Sequence, residues 1–135
     1  MSSHLLLLDD SELIRTSLRA LLDRVEGIAS IREAATLGEA LDSVRHNPTT
    51  LVIMDLHLPD GLGMDIVHQL KQFAPLLWIA VLTLQPLPIY RQRCLALGAD
   101  WFFDKATEVE DLLEVVRQHA AMNQLTHSQQ GTLDA

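Results

Sequence analysis

The strongest constraint on the fold is an alternation repeated five times along the chain: a short apolar run, then a stretch with helical spacing. The runs are Leu5–Leu8, Ile28–Ile31, Leu51–Met54, Leu77–Leu82 and Trp101–Phe103. Apolar runs this short read as strands buried on both faces, as in a parallel sheet. After Ser11, a good helix cap, Ile14, Leu18, Leu21, Leu22 and Val25 recur at helical spacing. Thr36 opens a second helix through Leu37, Ala40, Leu41 and Val44, ended by Asn47-Pro48. A third carries Ile66, Val67, Leu70 and Phe73 and stops before Pro75. The fourth starts among Pro86 and Pro88, which a first turn tolerates, and closes at Gly98. The last runs from a Thr107 cap, with Glu110 as its capping-box partner, through Leu112, Leu113 and Val116. The fourth run alone also fits a buried helix fragment, and its flanking Pro75 and Pro86 favour the strand. Such alternation builds right-handed βαβ units, hence a doubly wound parallel sheet with helices on both faces.

One domain is expected over residues 3–121, and 122–135, polar and without period, is expected to be a tail or linker. Eighteen acidic against ten basic residues give a net charge of −8, which argues against a nucleic-acid surface. The single cysteine, Cys94, excludes an internal disulfide and fits a reducing compartment. No run reaches the ~18 apolar residues of a membrane span, and Leu5–Leu8 is too short for a signal peptide. A soluble, cytoplasmic protein is expected. The six histidines lack ligand spacing and read as surface residues, while Trp78 and Trp101 read as packing.

In an open α/β sheet, ligands sit beyond the carboxyl ends of the strands. The first run ends in Asp9-Asp10, the third in Asp55, the fourth in Thr83 and the fifth in Asp104-Lys105. Singly, each has a bland reading as a cap, a packed β-branched residue or a solvated charge. Together, carboxylates crowded at one edge repel one another unless a cation sits among them. Oxygen ligands without a Cys or His pattern favour Mg²⁺ over zinc.

These residues, with Asp55-Leu56-His57-Leu58-Pro59-Asp60-Gly61-Leu62-Gly63 and its spacing of Asp55, Pro59 and Gly63, resemble the receiver domain of two-component response regulators. The likeness covers residues 4 to about 120. It implies a flavodoxin-like (βα)5 fold with strand order 2-1-3-4-5. It further implies that Asp55 accepts a phosphoryl group from a sensor histidine kinase or phosphotransfer protein. Asp9, Asp10, Asp55 and the His57 backbone carbonyl would hold Mg²⁺. Lys105 and Thr83 would bind phosphoryl oxygens, Phe102 would be the aromatic switch, and no turnover on a separate substrate is expected. The fourth-helix to fifth-helix face would carry output and possible homodimerisation. His57, Leu84 and Gln85 would tune the phosphate lifetime.

Three positions depart from the commoner pattern: Leu84 follows Thr83 where a small residue is usual, Ala106 follows Lys105, and Pro86 and Pro88 stiffen the fourth helix. Bulk at Leu84 predicts slow self-dephosphorylation, against the competing expectation that His57 orients water. Phe103 to Glu108 is similar to receivers that precede helix-turn-helix outputs. The alternative is a single-domain regulator or phosphotransfer intermediate acting through protein contacts. An aspartyl-phosphate hydrolase would carry aspartate-x-aspartate after its first strand, whereas Asp9 and Asp10 are adjacent here. A degenerate receiver would lack one of the key residues, and all are present.

Overall fold

The computed structural model describes residues 2–134, with side chains described through Asn123. Five parallel strands form one sheet: β1 (Ser3–Leu8), β2 (Ile28–Ala34), β3 (Leu51–Met54), β4 (Trp78–Thr83) and β5 (Trp101–Asp104). Their order is β2-β1-β3-β4-β5. The chain thus winds one way from β1 to β2, then returns past β1 to β3, leaving a switch point between β1 and β3. The helices are α1 (Glu12–Leu22), α2 (Leu37–His46), α3 (Val67–Phe73), α4 (Pro88–Ala96) and α5 (Val109–Asp134), and a 3₁₀ turn, Gly63–Ile66, leads into α3.

Strand side chains alternate between two apolar layers, because the pleat has a period of two. Leu6, Leu8, Val52, Met54, Ile79, Val81 and Phe102 pack on the α2, α3 and α4 side. Leu5, Leu7, Leu51, Ile53, Ala80, Leu82 and Phe103 face α1 and α5. The central strands are buried on both faces, as their continuous runs predict. β2 departs from that expectation: it is one of the two edge strands, it runs three residues further through Arg32-Glu33-Ala34, and most of it is only partly buried. An edge strand can carry charge, and here Glu33 accepts from Arg15 at 2.9 Å and Arg19 at 2.8 Å, clamping α1 to β2. Burial works to raise the Glu33 carboxyl, but the Arg19 and Arg15 guanidiniums outweigh it and hold the group below its ordinary value.

The caps at Ser11 and Thr36 form as read: Ser11 Oγ accepts from Ile14 N–H at 3.2 Å, and Thr36 Oγ1 from Glu39 N–H at 3.1 Å. α4 begins at Pro88, with Pro86 left outside the helix, and the chain turns at Gly98 with φ +115°. α5 corrects the sequence reading at its start. It opens at Val109, and Glu108 rather than Thr107 organises the turn, its carboxylate accepting from Asp104 N–H at 2.9 Å. At its other end the backbone stays helical to Asp134, through the stretch expected to be a tail or linker. The side chains of that stretch beyond Asn123 lie outside the described residues. Among the described residues, no helix is long and apolar enough to cross a membrane.

Candidate phosphoacceptor and cation site

β1, β3, β4 and β5 deliver Asp9, Asp55, Thr83 and Lys105 to one edge of the sheet because each strand ends just before, or at, the residue concerned. Backbone bonds tie those ends together: Asp55 N–H to Leu8 O at 2.8 Å, Asp9 N–H to Ala34 O at 3.1 Å, and Lys105 N–H to Thr83 O at 2.8 Å. Lys105 Nζ lies 2.7 Å from Asp9 Oδ2 and 3.3 Å from Asp55 Oδ2. The Lys105 and Asp9 side chains are 9% and 6% exposed, so this is a buried ion pair. Asp9 Oδ1 is also used, accepting from Ser11 N–H at 2.9 Å, and the Asp9 carbonyl accepts from Arg15 Nη1. Asp10 is exposed, Asp55 half-buried and Asp9 buried.

One carboxylate oxygen from each of Asp9, Asp10 and Asp55 lies within 4.8 Å of the other two. Burial pushes the Asp55 carboxyl above its ordinary value; the Lys105 ammonium opposes this and the Asp9 charge adds to it. The cluster is therefore under-neutralised: one ammonium faces three carboxylates. A hard divalent cation fits both the charge and the all-oxygen donor set.

The loop after Asp55 explains the spacing of Asp55 and Gly63. A Cβ built on Gly63 would lie 2.5 Å from the Asp55 carbonyl oxygen and 3.0 Å from Met54 Sδ, so only glycine lets the returning chain pass behind the acceptor. Gly63 N–H also closes the loop onto Leu56 O at 2.7 Å. Between them His57–Leu58 pairs antiparallel with Gly61–Leu62, turning at Pro59-Asp60. Asp60 does more than turn the chain: its carboxylate accepts from the N–H groups of Leu37 at 2.9 Å and Gly38 at 3.1 Å, anchoring the loop on the α2 N-terminus. The Leu37 bond, partly opposed by desolvation and joined by the Gly38 bond, holds the Asp60 carboxyl below its ordinary value.

Thr83 is fully buried, its Oγ1 accepting from Gln85 N–H at 3.0 Å. Phe102 is turned inward and 5% exposed. Leu84 is 63% exposed, with Gln85 exposed beside it. His57 is half-buried rather than fully exposed: its ring meets Tyr90 of α4 edge-on, and its Nε2 is buried without a hydrogen-bond partner. An atom so placed costs about 1–3 kcal/mol relative to a paired one. His119 also departs from the surface reading, buried at 2% on the far side of the molecule. Neither the Asp60 anchor nor Tyr90 was legible beforehand, since each is a long-range pairing without a local motif, and the Arg15 contact, six residues from Asp9, follows no motif either.

A doubly wound sheet with an acidic cluster and a lysine at its switch point defines a flavodoxin-like signalling domain. The chain belongs to the response regulator receiver domain family, whose profile matches residues 5–117. A Pseudomonas aeruginosa protein, by name a transcriptional regulator, is 32% identical over 111 residues, 82% of this chain and 53% of the relative. The chain thus spans about half the length of the curated relatives it matches. A Burkholderia pseudomallei response regulator, solved with a phosphorylated aspartic acid, calcium ion and citrate, is 26% identical with TM-score 0.78, over 96% of this chain and 75% of that one. The beryllofluoride-activated receiver domain dimer of NtrC4 is 29% identical with TM-score 0.76, over 87% of this chain and 94% of that one.

Proposed function

We propose that Asp55 is the phosphoacceptor of a two-component relay, fed by a sensor histidine kinase or phosphotransfer protein in a Mg²⁺-dependent reaction. The observation that carries this is the single ammonium of Lys105 bridging Asp9 and Asp55 beside the exposed Asp10. An Asp55 carboxylate oxygen attacks the phosphorus of a phosphohistidine; the new P–O bond forms as the P–N bond breaks, and the imidazole nitrogen takes up a proton. Asp9, Asp10, Asp55 and the His57 carbonyl would hold Mg²⁺, which when bound supplies charge neutralisation for the transferring group. Lys105 supplies the remaining positive charge, and Thr83 Oγ1 binds a phosphoryl oxygen after releasing Gln85 N–H. Phosphorylation of the aspartic acid and a bound calcium ion in the Burkholderia relative support the assignment.

Movement of Thr83 then repacks Phe102 and α4, and His57, Leu84 and Gln85 set how long the signal lasts. Output passes through the face of α4 and α5; Leu87 at the start of α4 and Ile89 and Leu95 within it are exposed apolar residues. The activated dimer of the NtrC4 receiver supports pairing of two copies. The transcriptional regulator among the relatives supports control of transcription as the end of the relay. Incubation with acetyl phosphate and Mg²⁺ is expected to add one phosphate by intact mass, labile to hydroxylamine. Asp55→Asn protein that gains the same stoichiometric adduct would sink the assignment.

A further inference from the structure

Every buried side-chain polar atom among the described residues has a hydrogen-bond partner except His57 Nε2. The imidazole stands two residues past Asp55, and the ring of Tyr90 packs against it, with centroids 5.5 Å apart and planes at 78°. Tyr90 sits in the first turn of α4, partly buried against the layer that holds Leu58, Leu62 and Phe102. α4 itself is lightly anchored: Cys94 is its one fully buried residue, and Arg91 Nη1 reaches the Phe102 carbonyl at a long 3.4 Å. A ring nitrogen kept dry without a partner is held by packing alone, and it gains a hydrogen bond by leaving.

We propose that Tyr90 is the positioning residue that parks the His57 imidazole out of reach of water, so that the placement of α4 governs how fast the Asp55 phosphoryl group is hydrolysed. The proposal rests on Asp55 being the phosphoacceptor. In hydrolysis a water oxygen bonds to phosphorus, the acyl P–O bond breaks, the Asp55 carboxylate leaves, and inorganic phosphate keeps the proton of the water. With its proton on Nδ1, His57 has a lone pair on Nε2 that can accept a hydrogen bond from that water and align it. Packed against Tyr90, the lone pair is unavailable, and decay is slow. A partner that draws α4 away frees the ring and shortens the signal; one that presses α4 inward prolongs it. Slow decay, expected from the bulk of Leu84, then also follows from a parked His57, and the competing water-orienting His57 is the released ring.

The test starts from protein phosphorylated with acetyl phosphate and Mg²⁺, its decay followed by intact mass. Tyr90→Leu is expected to decay about tenfold faster, a fraction of what a well-placed proton-handling group supplies. Tyr90→Phe, which keeps the ring, is expected to restore the slow rate. In the His57→Ala background, Tyr90→Leu is expected to change nothing. Unaltered decay in Tyr90→Leu, or equal acceleration in the His57→Ala background, overturns the role of Tyr90 while leaving Asp55 as acceptor. Wild-type protein that takes up no phosphate overturns the acceptor reading, and this inference falls with it. Independently of any variant, NMR of the wild type is expected to show cross-relaxation between His57 and Tyr90 ring protons that weakens with beryllofluoride. Its absence before activation overturns the proposal.

Discussion

Asp9 shows how much one side chain carries here. One carboxylate oxygen holds Lys105, the other caps the turn into α1, and its carbonyl is held by Arg15, which also clamps Glu33. Such saturation fixes the carboxylate without rotamer freedom, which suits the proposed role of the cluster in holding a cation. Gly63 constrains the same site from behind. Because a Cβ would strike the Asp55 carbonyl, Gly63→Ala is expected to cost about 1–3 kcal/mol, as overpacking does, and to slow phosphoryl uptake as well. Urea unfolding and acetyl phosphate labelling of that variant check both.

His119 offers a second prediction at this scale. Its Nδ1 meets Ser3 Oγ at 2.8 Å and its ring packs edge-on to Trp78, with centroids 4.6 Å apart. Burial depresses its pKa, and the hydrogen bond to the Thr50 carbonyl only partly opposes this. The folded state therefore prefers neutral imidazole. That contribution is fully present above the unfolded pKa of about 6.5 and is lost as pH falls from there toward the depressed folded value. The urea midpoint is expected to fall between about pH 7.5 and 5.5, and the fall to shrink in His119→Phe. An unchanged pH slope in that variant would count against His119 as the source.

At the scale of elements, the loop between β3 and α3 and the start of α2 behave as one unit. Thr36 caps α2 from within its own segment, and Asp60 satisfies two further N–H groups from 23 and 22 residues away. An acceptor there also meets the positive end of the helix dipole. Asp60→Ala is expected to lower the urea midpoint without changing the slope, and to loosen the Asp55 loop. Hydrogen exchange checks the second effect: faster exchange at Leu37 and Gly38 should be accompanied by faster exchange at Gly63. Faster exchange at α2 alone would mean the loop is held by Gly63 and its pairing instead.

For the whole molecule, the switch point matters because it gathers like charge. The fold places three carboxylates against one ammonium, and packing of the sheet layers on both sides sustains that repulsion. A ligand that relieves it binds the folded state alone and stabilises it by mass action, about 1.4 kcal/mol at ten times its dissociation constant. Mg²⁺ is therefore expected to raise the melting temperature of the protein, EDTA to reverse the rise, and Asp10→Asn to abolish most of it. A rise of equal size in Asp10→Asn would place the cation elsewhere.

The order of strands and helices was legible in the chain because each central strand is apolar on both faces, a local property that needs no partner to be seen. The edge where Asp9, Asp55, Thr83 and Lys105 gather was legible too, since strand ends are set by where apolar residues stop. The edge status of β2 was not, because Ile28–Ile31 resembles the buried runs and only the order β2-β1-β3-β4-β5 decides which strand lacks a neighbour. The start of α5 moved from Thr107 to Val109 because Glu108 reaches back to Asp104, a competition between caps that composition does not rank. The burial of His119 and of the His57 Nε2 was likewise decided by tertiary structure. Each histidine is polar in sequence; Ser3 and Trp78 bring His119 into the interior, and Tyr90 packs against a half-buried His57, all from far along the chain. Local pattern determines which faces are apolar; only packing determines what those faces meet.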